Sequence, residues 1–260
     1  MTDENEGAPL RLVSPSRASD GSFIAISEIG SLFAGAPHRL IGGVAVVLHQ
    51  HRLGIDHPIR ATADAVFGVP PYALNDDSLV ESVASLGYTR ASGNRWERAL
   101  PGRRTATVDL LVPSYRTRLR QVVRHGSTNT IEVGGLAEAL RRPSVRMDGV
   151  VTLTDGEVIS IDVLLPDLAS LLGLKLHARR VRQVDRDVID LWTCLELMAA
   201  AGELASFSDT EFDPIRAQLA IEFADDGPVM RIATADVGVD EAARRRTRIR
   251  GLARALTSRS

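Results

Sequence analysis

Lysine is almost absent from this sequence. The chain carries 31 lysine and arginine residues, and Lys175 is the only lysine among them. Arginine in place of lysine is typical of a GC-rich genome, so the single lysine needs a local explanation. Aromatic residues make up only 4% of the chain, against 44% hydrophobic residues in total. A core must therefore be built mainly from Val, Leu, Ile and Ala.

Disulfides, membrane spans and a strong net charge are also missing. Cys194 is the only cysteine, so no internal disulfide can form, and a reducing compartment fits. No apolar run approaches the ~20 residues of a membrane span, and the acidic N-terminus lacks a signal pattern. The formal net charge is −2, so a polyanion would need a local basic patch. We expect a cytoplasmic protein without a membrane partner.

Length and pattern indicate the fold class. A chain of 260 residues forms one large domain, or a core with a smaller helical domain. Strand and helix patterns alternate first and helical patterns follow, which predicts an α/β (α+β) fold with a helical C-terminal part. Residues 1–21 are rich in Asp, Glu, Ser, Gly and Pro and are predicted to be a flexible segment. The core is predicted over residues 22–165 and the helical region over residues 166–260.

A glycine pair separates a short predicted strand from a predicted helix. Leu40 and Ile41 end the strand, Gly42 and Gly43 follow, and residues 44–53 have a helical pattern. A glycine pair there lets backbone N–H groups and the helix N-terminus face a phosphate. Such a pair is also a common tight turn with no ligand.

Two aspartates lie inside apolar strand patterns. Asp64 belongs to a predicted strand over residues 59–69, and Asp109 to one over residues 105–112. Burial of a carboxylate is costly unless it is paired or binds a metal. Both are therefore candidates for a functional site, and a structural ion pair is the alternative.

Lys175 opens a second charged group, on a predicted leucine-rich helix. A lysine on an apolar face can extend to solvent. In a chain that otherwise uses arginine, we favour a functional role. Asp187 and Asp190 follow, either as part of the same site or as residues at the start of the next helix.

Together these features resemble the nucleotidyltransferase fold superfamily, and most closely the AbiEii-type toxins of type IV toxin–antitoxin systems, which include the MenT toxins. The family pattern is a Gly-Gly or Gly-Ser turn, Arg-x-Thr-x-Asp-x-Asp on the next strand, a later Asp, and a helical Lys before Lys/Arg-Asp-x-x-Asp. The matching segments here are Gly42-Gly43, Arg60-Ala61-Thr62-Ala63-Asp64-Ala65-Val66, Asp109, Lys175 and Arg186-Asp187-Val188-Ile189-Asp190. The likeness covers roughly residues 38 to 195.

The resemblance implies a nucleotidyltransferase-like mixed-sheet core. Such an enzyme moves a nucleoside monophosphate from a nucleoside triphosphate to an acceptor with Mg²⁺ or Mn²⁺. It also implies tRNA as a candidate acceptor and a cognate antitoxin as a partner. Carried over by position, the expected catalytic residues are Asp64, Asp109, Lys175 and Asp187, the nucleotide-binding residues are Gly42, Gly43, Arg60, Thr62 and Lys175, and the metal ligands are Asp64 and Asp109.

One position departs from the family pattern. Val66 stands where the second metal-binding Asp belongs, and strand alternation would place it on the same face as Asp64. One hypothesis is a degenerate relative that binds nucleotide or RNA without catalysis. Another is an enzyme in which Asp64 and Asp109 hold one metal ion. A third is a nucleotidyltransferase that modifies a small molecule such as an antibiotic.

The remaining titratable clusters are predicted to be structural. His49 and His51 are two residues apart and would point to different faces of a helix, so they do not predict a metal site with His57. Cys194 has the surroundings of a core residue. The arginines of the last helix either bind RNA phosphates or form a solvated face, which we favour. A second basic stretch follows Asp109. The two groups are Arg244, Arg245, Arg246, Arg248, Arg250 and Arg254, and Arg116, Arg118, Arg120 and Arg124.

Overall fold

Strands dominate the first two thirds of the described chain, and helices the rest. A computed structural model describes residues 9–33, 36–57, 61–75, 77–115 and 122–257. The strands are β1 (Leu10–Val13), β2 (Arg39–Ile41), β3 (Asp64–Gly68), β4 (Thr89–Ser92), β5 (Arg95–Leu100), β6 (Arg104–Pro113), β7 (Val123–His125), β8 (Thr128–Val133), β9 (Ser144–Thr152) and β10 (Val158–Pro166). The α-helices are α1 (Arg17–Gly30), α2 (Gly42–Leu53), α3 (Ser78–Ser85), α4 (Leu136–Arg141), α5 (Leu168–Arg182), α6 (Asp185–Ala201), α7 (Asp213–Glu222), α8 (Pro228–Thr234) and α9 (Val239–Thr257).

The larger sheet has seven strands and carries the candidate site. Its main path is β2-β3-β6-β5-β4, and β8 pairs with both β6 and β7. Strands β3 and β6 run parallel, whereas β2 and β5 are antiparallel to their neighbours in this path. One face of β3 and β6 is fully buried, through Ala65, Phe67, Val108 and Leu110. Because side chains alternate along a strand, the opposite face carries Asp64, Val66 and Asp109.

The smaller sheet, β1-β9-β10, packs with the larger one around α1. Helix α1 contacts β6 on one side and β10 on the other. Gly21 makes this approach possible, because a Cβ there would lie 2.1 Å from the carbonyl oxygen of Thr105. The buried residues Phe23, Ile26 and Ile29 complete the apolar stripe of the helix.

The prediction of a flexible segment over residues 1–21 is wrong for its described part. Residues 10–13 form β1, which pairs in parallel with β9, and α1 begins at Arg17. The polar residues that suggested disorder have structural roles. Ser16 caps α1 by accepting a hydrogen bond from the backbone N–H of Ser19, 3.1 Å away. The fully buried carboxylate of Asp20 accepts hydrogen bonds from Thr154 and Arg104.

One local prediction also changes. The strand predicted over residues 59–69 is shorter, since β3 covers only Asp64–Gly68, and residues 58–60 lie outside the described residues. Asp77 does not cap α3 with its side chain. Its carboxylate instead accepts hydrogen bonds from the backbone N–H and the hydroxyl of Ser127, at 2.9 and 2.6 Å.

The predicted α/β class with a helical C-terminal part is confirmed. Both sheets are mixed, and α5 to α9 follow the last strand. Helix α6 packs against α5, α2, α8 and α9, which joins the helical part to the sheet part. Among the described residues, no helix is both long enough and apolar enough to cross a membrane.

Candidate functional site

Four neighbouring strands place one residue each in a row across the larger sheet. The register pairs Ile41 with Val66, Val66 with Asp109, and Asp109 with Arg95. Directly paired residues point to the same face of a sheet. Asp64 belongs to this face too, because it lies two residues before Val66 on β3. The sheet therefore brings the two predicted aspartates together and adds an arginine.

The apolar half of this face is covered by helices. Ile41 forms a small buried cluster with Leu136 of α4 and Leu174 of α5, and the half-buried Val66 packs against it. Val66 therefore closes the apolar cluster at the boundary with the charged half of the row. This packing gives a structural reason for a valine where the family pattern has an aspartate.

The charged half is organised by Arg95. Its Nε donates to Oδ1 of Asp109 at 3.1 Å, and its Nη2 donates to Oδ2 of Asp109 at 2.7 Å. The side-chain amide of Asn94 donates to the same Oδ1 at 2.9 Å. The hydrogen bonds to Asp109 raise the pKa of the Arg95 guanidinium, although partial burial acts in the opposite direction. Asp109 is thus held by a two-point arginine contact, the strong form of a charge-assisted pair.

Asp64 is held more loosely. Nη2 of Arg95 lies 3.4 Å from its Oδ2, and the Asp64 side chain is 40% exposed, compared with 11% for Asp109. One nitrogen of Arg95 therefore contacts both carboxylates. Glu97 lies on the next row of the same face, paired with Thr107, and adds negative charge near Arg95.

The glycine pair lies at the end of the same row. Gly42 begins α2 directly after β2 and has φ +83°, a conformation that favours glycine. A Cβ at Gly42 would also lie 3.1 Å from a methyl group of Val66. Ile41 is the N-cap residue of α2 and offers no side-chain hydrogen bond. The predicted strand, glycine turn and helix are confirmed, and Gly42 and Gly43 are both partly exposed.

Arg60 and Thr62 were also predicted to bind the nucleotide. Arg60 lies outside the described residues. Thr62 is buried and lies just before β3, not within a strand as predicted.

Lys175 is buried in the helical part, on α5. Its ammonium donates to Oδ2 of Asp190 on α6 at 2.6 Å, and both side chains are only 4% exposed. The expected role of Lys175 as a charge clamp requires contact with a triphosphate. In this structure, the ammonium of Lys175 instead forms an ion pair with a buried carboxylate. The alternative that Asp190 is only a residue at the start of the next helix is wrong, because Asp190 forms an ion pair with Lys175, the only lysine of the sequence.

Asp187 does not contact Lys175. It lies in the first turn of α6, where its Oδ1 accepts a hydrogen bond from Arg182 at 2.8 Å. Its other carboxylate oxygen is buried and has no hydrogen-bond partner among the described residues. Arg182 is half exposed and lies at the end of α5, so this pair closes the turn between the two helices.

The residues present do not fit the pair of Mg²⁺ or Mn²⁺ ions that the resemblance implies. Such ions prefer several oxygen ligands each. The two expected ligands are Asp64 and Asp109, and Asp109 is already engaged by Arg95 and Asn94. In the described part of the chain, no three His, Cys, Asp or Glu side chains are grouped so that they could hold a metal ion.

His49 and Cys194 are both buried in the core. His49 is fully buried, with Nε2 at 2.9 Å from the carbonyl of Pro166 and Nδ1 at 3.3 Å from Arg52. Burial lowers its pKa to about 4. Cys194 is fully buried, as predicted for a core residue, and burial raises the pKa of its thiol to about 12.

The arginines of α9 favour the solvated-face interpretation. Most of those with described contacts pair with acidic groups of the chain itself. Arg244 and Arg245 pair with Glu241, Arg248 pairs with Glu196, and Arg250 pairs with Asp225. Of the second basic stretch, only Arg124 lies within the described residues; Arg116, Arg118 and Arg120 lie outside them.

Sequence reasoning missed Arg95 and Asn94. The only available signal was the position of Arg95 in a strand pattern close to Asp109, and that position does not fix the pairing. Comparison of the chain with models of known protein families gives no match, and comparison with curated proteins gives none. The resemblance to AbiEii-type nucleotidyltransferases therefore rests on the residues that carry it.

Proposed function

We propose that this chain is a nucleotidyltransferase-like protein that binds a nucleoside triphosphate as a non-catalytic module. The observation that carries the proposal is the guanidinium of Arg95, which contacts both Asp64 and Asp109. In the family pattern these carboxylates would hold metal ions. Here a side chain of the protein supplies the positive charge, and Val66 removes one further ligand.

The glycine turn supports phosphate binding. The N-terminus of α2 presents backbone N–H groups that no N-cap side chain satisfies, and Gly42 and Gly43 are partly exposed. A helix N-terminus also carries partial positive charge, which favours an anion. The turn adjoins the row that ends at Arg95. The proposed site therefore combines uncharged backbone N–H donors at the start of α2 with the positively charged guanidinium of Arg95.

We propose that a phosphate chain spans the distance between the glycine turn and Arg95. Three strand spacings separate β2 from β5, about 14 Å in all. Arg95 shortens this gap, because its guanidinium reaches as far as Asp64 on β3, the neighbour of β2. Its Nη1 forms no hydrogen bond to either of these carboxylates, and we propose that it contacts a phosphate oxygen.

The test is nucleotide binding in the absence of metal. Calorimetry with each nucleoside triphosphate, in buffer with a chelator, should show saturable binding to the wild-type chain. Gly43→Asp should abolish it, since a carboxylate at the turn repels phosphate while an acidic group in the first turn suits the helix. Gly43→Asn has nearly the same shape without the charge and is the matched control.

Two outcomes would contradict the proposal. One is absence of binding by the folded wild-type chain with every nucleoside triphosphate. The other is equal binding by the Asp and Asn variants, with circular dichroism showing that both are folded, because phosphate would then lie elsewhere.

Metal-dependent nucleotidyl transfer by a type IV toxin, with tRNA as the acceptor and an antitoxin as the partner, is the competing candidate. One observation favours it: the side chain of Asp64 is 40% exposed and is held at 3.4 Å only. Incubation with labelled nucleoside triphosphates, total tRNA and Mg²⁺ or Mn²⁺ distinguishes the two. We expect no labelled RNA. Label that is lost in Asp64→Asn would establish the transferase instead.

A further inference from the structure

Arg95 is placed by the sheet itself. It lies directly opposite Asp109 in the antiparallel pairing of β5 and β6, so the two side chains leave the same face side by side. The following residue on β5, Trp96, is 4% exposed and anchors this strand in the core. The guanidinium therefore meets the carboxylates from a fixed backbone position.

The contacts of Arg95 are those expected of a shared cation. Nη2 lies 2.7 Å from Asp109 and 3.4 Å from Asp64, while Nε takes the second oxygen of Asp109. A metal ion bridging the two carboxylates would have to lie where Nη2 lies now. It would also have to displace a two-point pair, which is the strong form of this interaction.

We propose that Arg95 is the resident cation of this site and excludes divalent metal ions from Asp64 and Asp109. Net charge does not account for the exclusion, because Glu97 keeps the surroundings acidic. Direct occupation by the guanidinium, and its repulsion of a second cation, accounts for it. This inference rests on the geometry of Arg95 and holds whether or not the chain binds a nucleotide.

The experiment is a measurement of Mn²⁺ binding without nucleotide, by electron paramagnetic resonance of the free ion. Arg95→Gln removes the charge and keeps much of the side-chain length. This variant should bind Mn²⁺ at least about tenfold more tightly than the wild-type chain does. Arg95→Lys keeps a cation at the site and is the matched control, which should behave like the wild type.

A substitution of Asp64 tests whether the gain in Mn²⁺ binding arises at this site. Adding Asp64→Asn to Arg95→Gln should abolish the new Mn²⁺ binding, since only one of the two aspartates that Arg95 contacts remains. Circular dichroism shows whether each variant is folded. If folded Arg95→Gln binds Mn²⁺ no better than the wild type, the proposal is wrong.

The wild-type chain provides a test that does not depend on the folding of Arg95→Gln. The proposal requires that Asp64→Asn leave any Mn²⁺ binding of the wild type unchanged. Mn²⁺ binding by the wild type that Asp64→Asn abolishes would overturn it. Because nucleotide binding is measured with a chelator and Mn²⁺ binding without nucleotide, the two proposals fail separately.

Discussion

The ion pair between Lys175 and Asp190 should be the most sensitive polar contact in the helical part. We consider Lys175→Met, which keeps a similar length and an unbranched stem but removes the charge. The carboxylate of Asp190 then stays buried without the ammonium that lies 2.6 Å from it.

The burial of both side chains sets the magnitude. Each is only 4% exposed, so water cannot replace the lost partner. Removal of one member of a buried pair costs about 3–5 kcal/mol. Because whole domains have about 5–15 kcal/mol of stability, this single change should remove a large share of it.

The assay is urea unfolding followed by circular dichroism, with linear extrapolation to water. Arg146→Met is the matched control. Arg146 also contacts its partner, Asp162, at 2.6 Å, but the two side chains are 68% and 58% exposed. Solvent screens such a pair, so its loss should leave the free energy of unfolding almost unchanged.

The double variant Lys175→Met/Asp190→Asn tests the mechanism. Asparagine keeps the shape of the aspartate and removes the buried charge that Lys175 neutralises, so the double variant should recover part of the stability that Lys175→Met loses. Equal effects of Lys175→Met and Arg146→Met would refute the reasoning from burial. If Lys175→Met had wild-type stability but did not bind nucleotide, the result would support the expected contact of Lys175 with a triphosphate.

Four further substitutions have defined expected outcomes. Burial lowers the pKa of His49 from 6.5 to about 4, so the unfolded chain takes up this proton first and stability falls as the pH drops from 6.5 to 4. In urea unfolding across this range, His49→Gln, which can keep the donor to Pro166, should lose about 3 kcal/mol less than the wild type; parallel curves would contradict the shift. Gly42→Ala, at φ +83° and 3.1 Å from Val66, should lower the melting temperature and cost about 1–3 kcal/mol. Gly251→Ala, where a Cβ meets nothing within 4 Å, should instead stabilise α9, and the reverse order of the two glycine variants would exclude this account. Val66→Asp should gain Mn²⁺ affinity, since it puts a third aspartate beside Asp64 and Asp109; a folded variant without that gain would count against the family interpretation.

The sequence predicted the elements around the site because their patterns are local. The apolar pair before Gly42 and Gly43 marks β2, and the alternation around Asp109 marks β6. The face shared by Asp64 and Val66 follows from a period of two. None of these features depends on which strands become neighbours.

The contact between Arg95 and Asp109 could not be predicted in the same way. It depends on the register of β5 against β6, and a shift of one residue would send Arg95 to the other face. The partner of Lys175 is equally non-local, because it lies on the next helix. Residues 10–21 were misjudged for a related reason: the composition of a segment does not show that Asp20 and Gly21 meet the strands that α1 packs against.

Val66 and Arg95 are best understood as one arrangement. An aspartate at position 66 would place three aspartates beside one another on this face, and a single guanidinium could not pair with all of them. With valine there, Arg95 contacts both remaining aspartates, and Val66 packs against the apolar cluster of α4 and α5. The valine at position 66 and the internal cation therefore support each other, because the valine leaves two aspartates on this part of the face and Arg95 contacts both of them. The same arrangement explains why Arg95→Gln and Val66→Asp should act in one direction: each makes the net charge of this face more negative by one unit, and each should make this face a better binding site for a divalent cation.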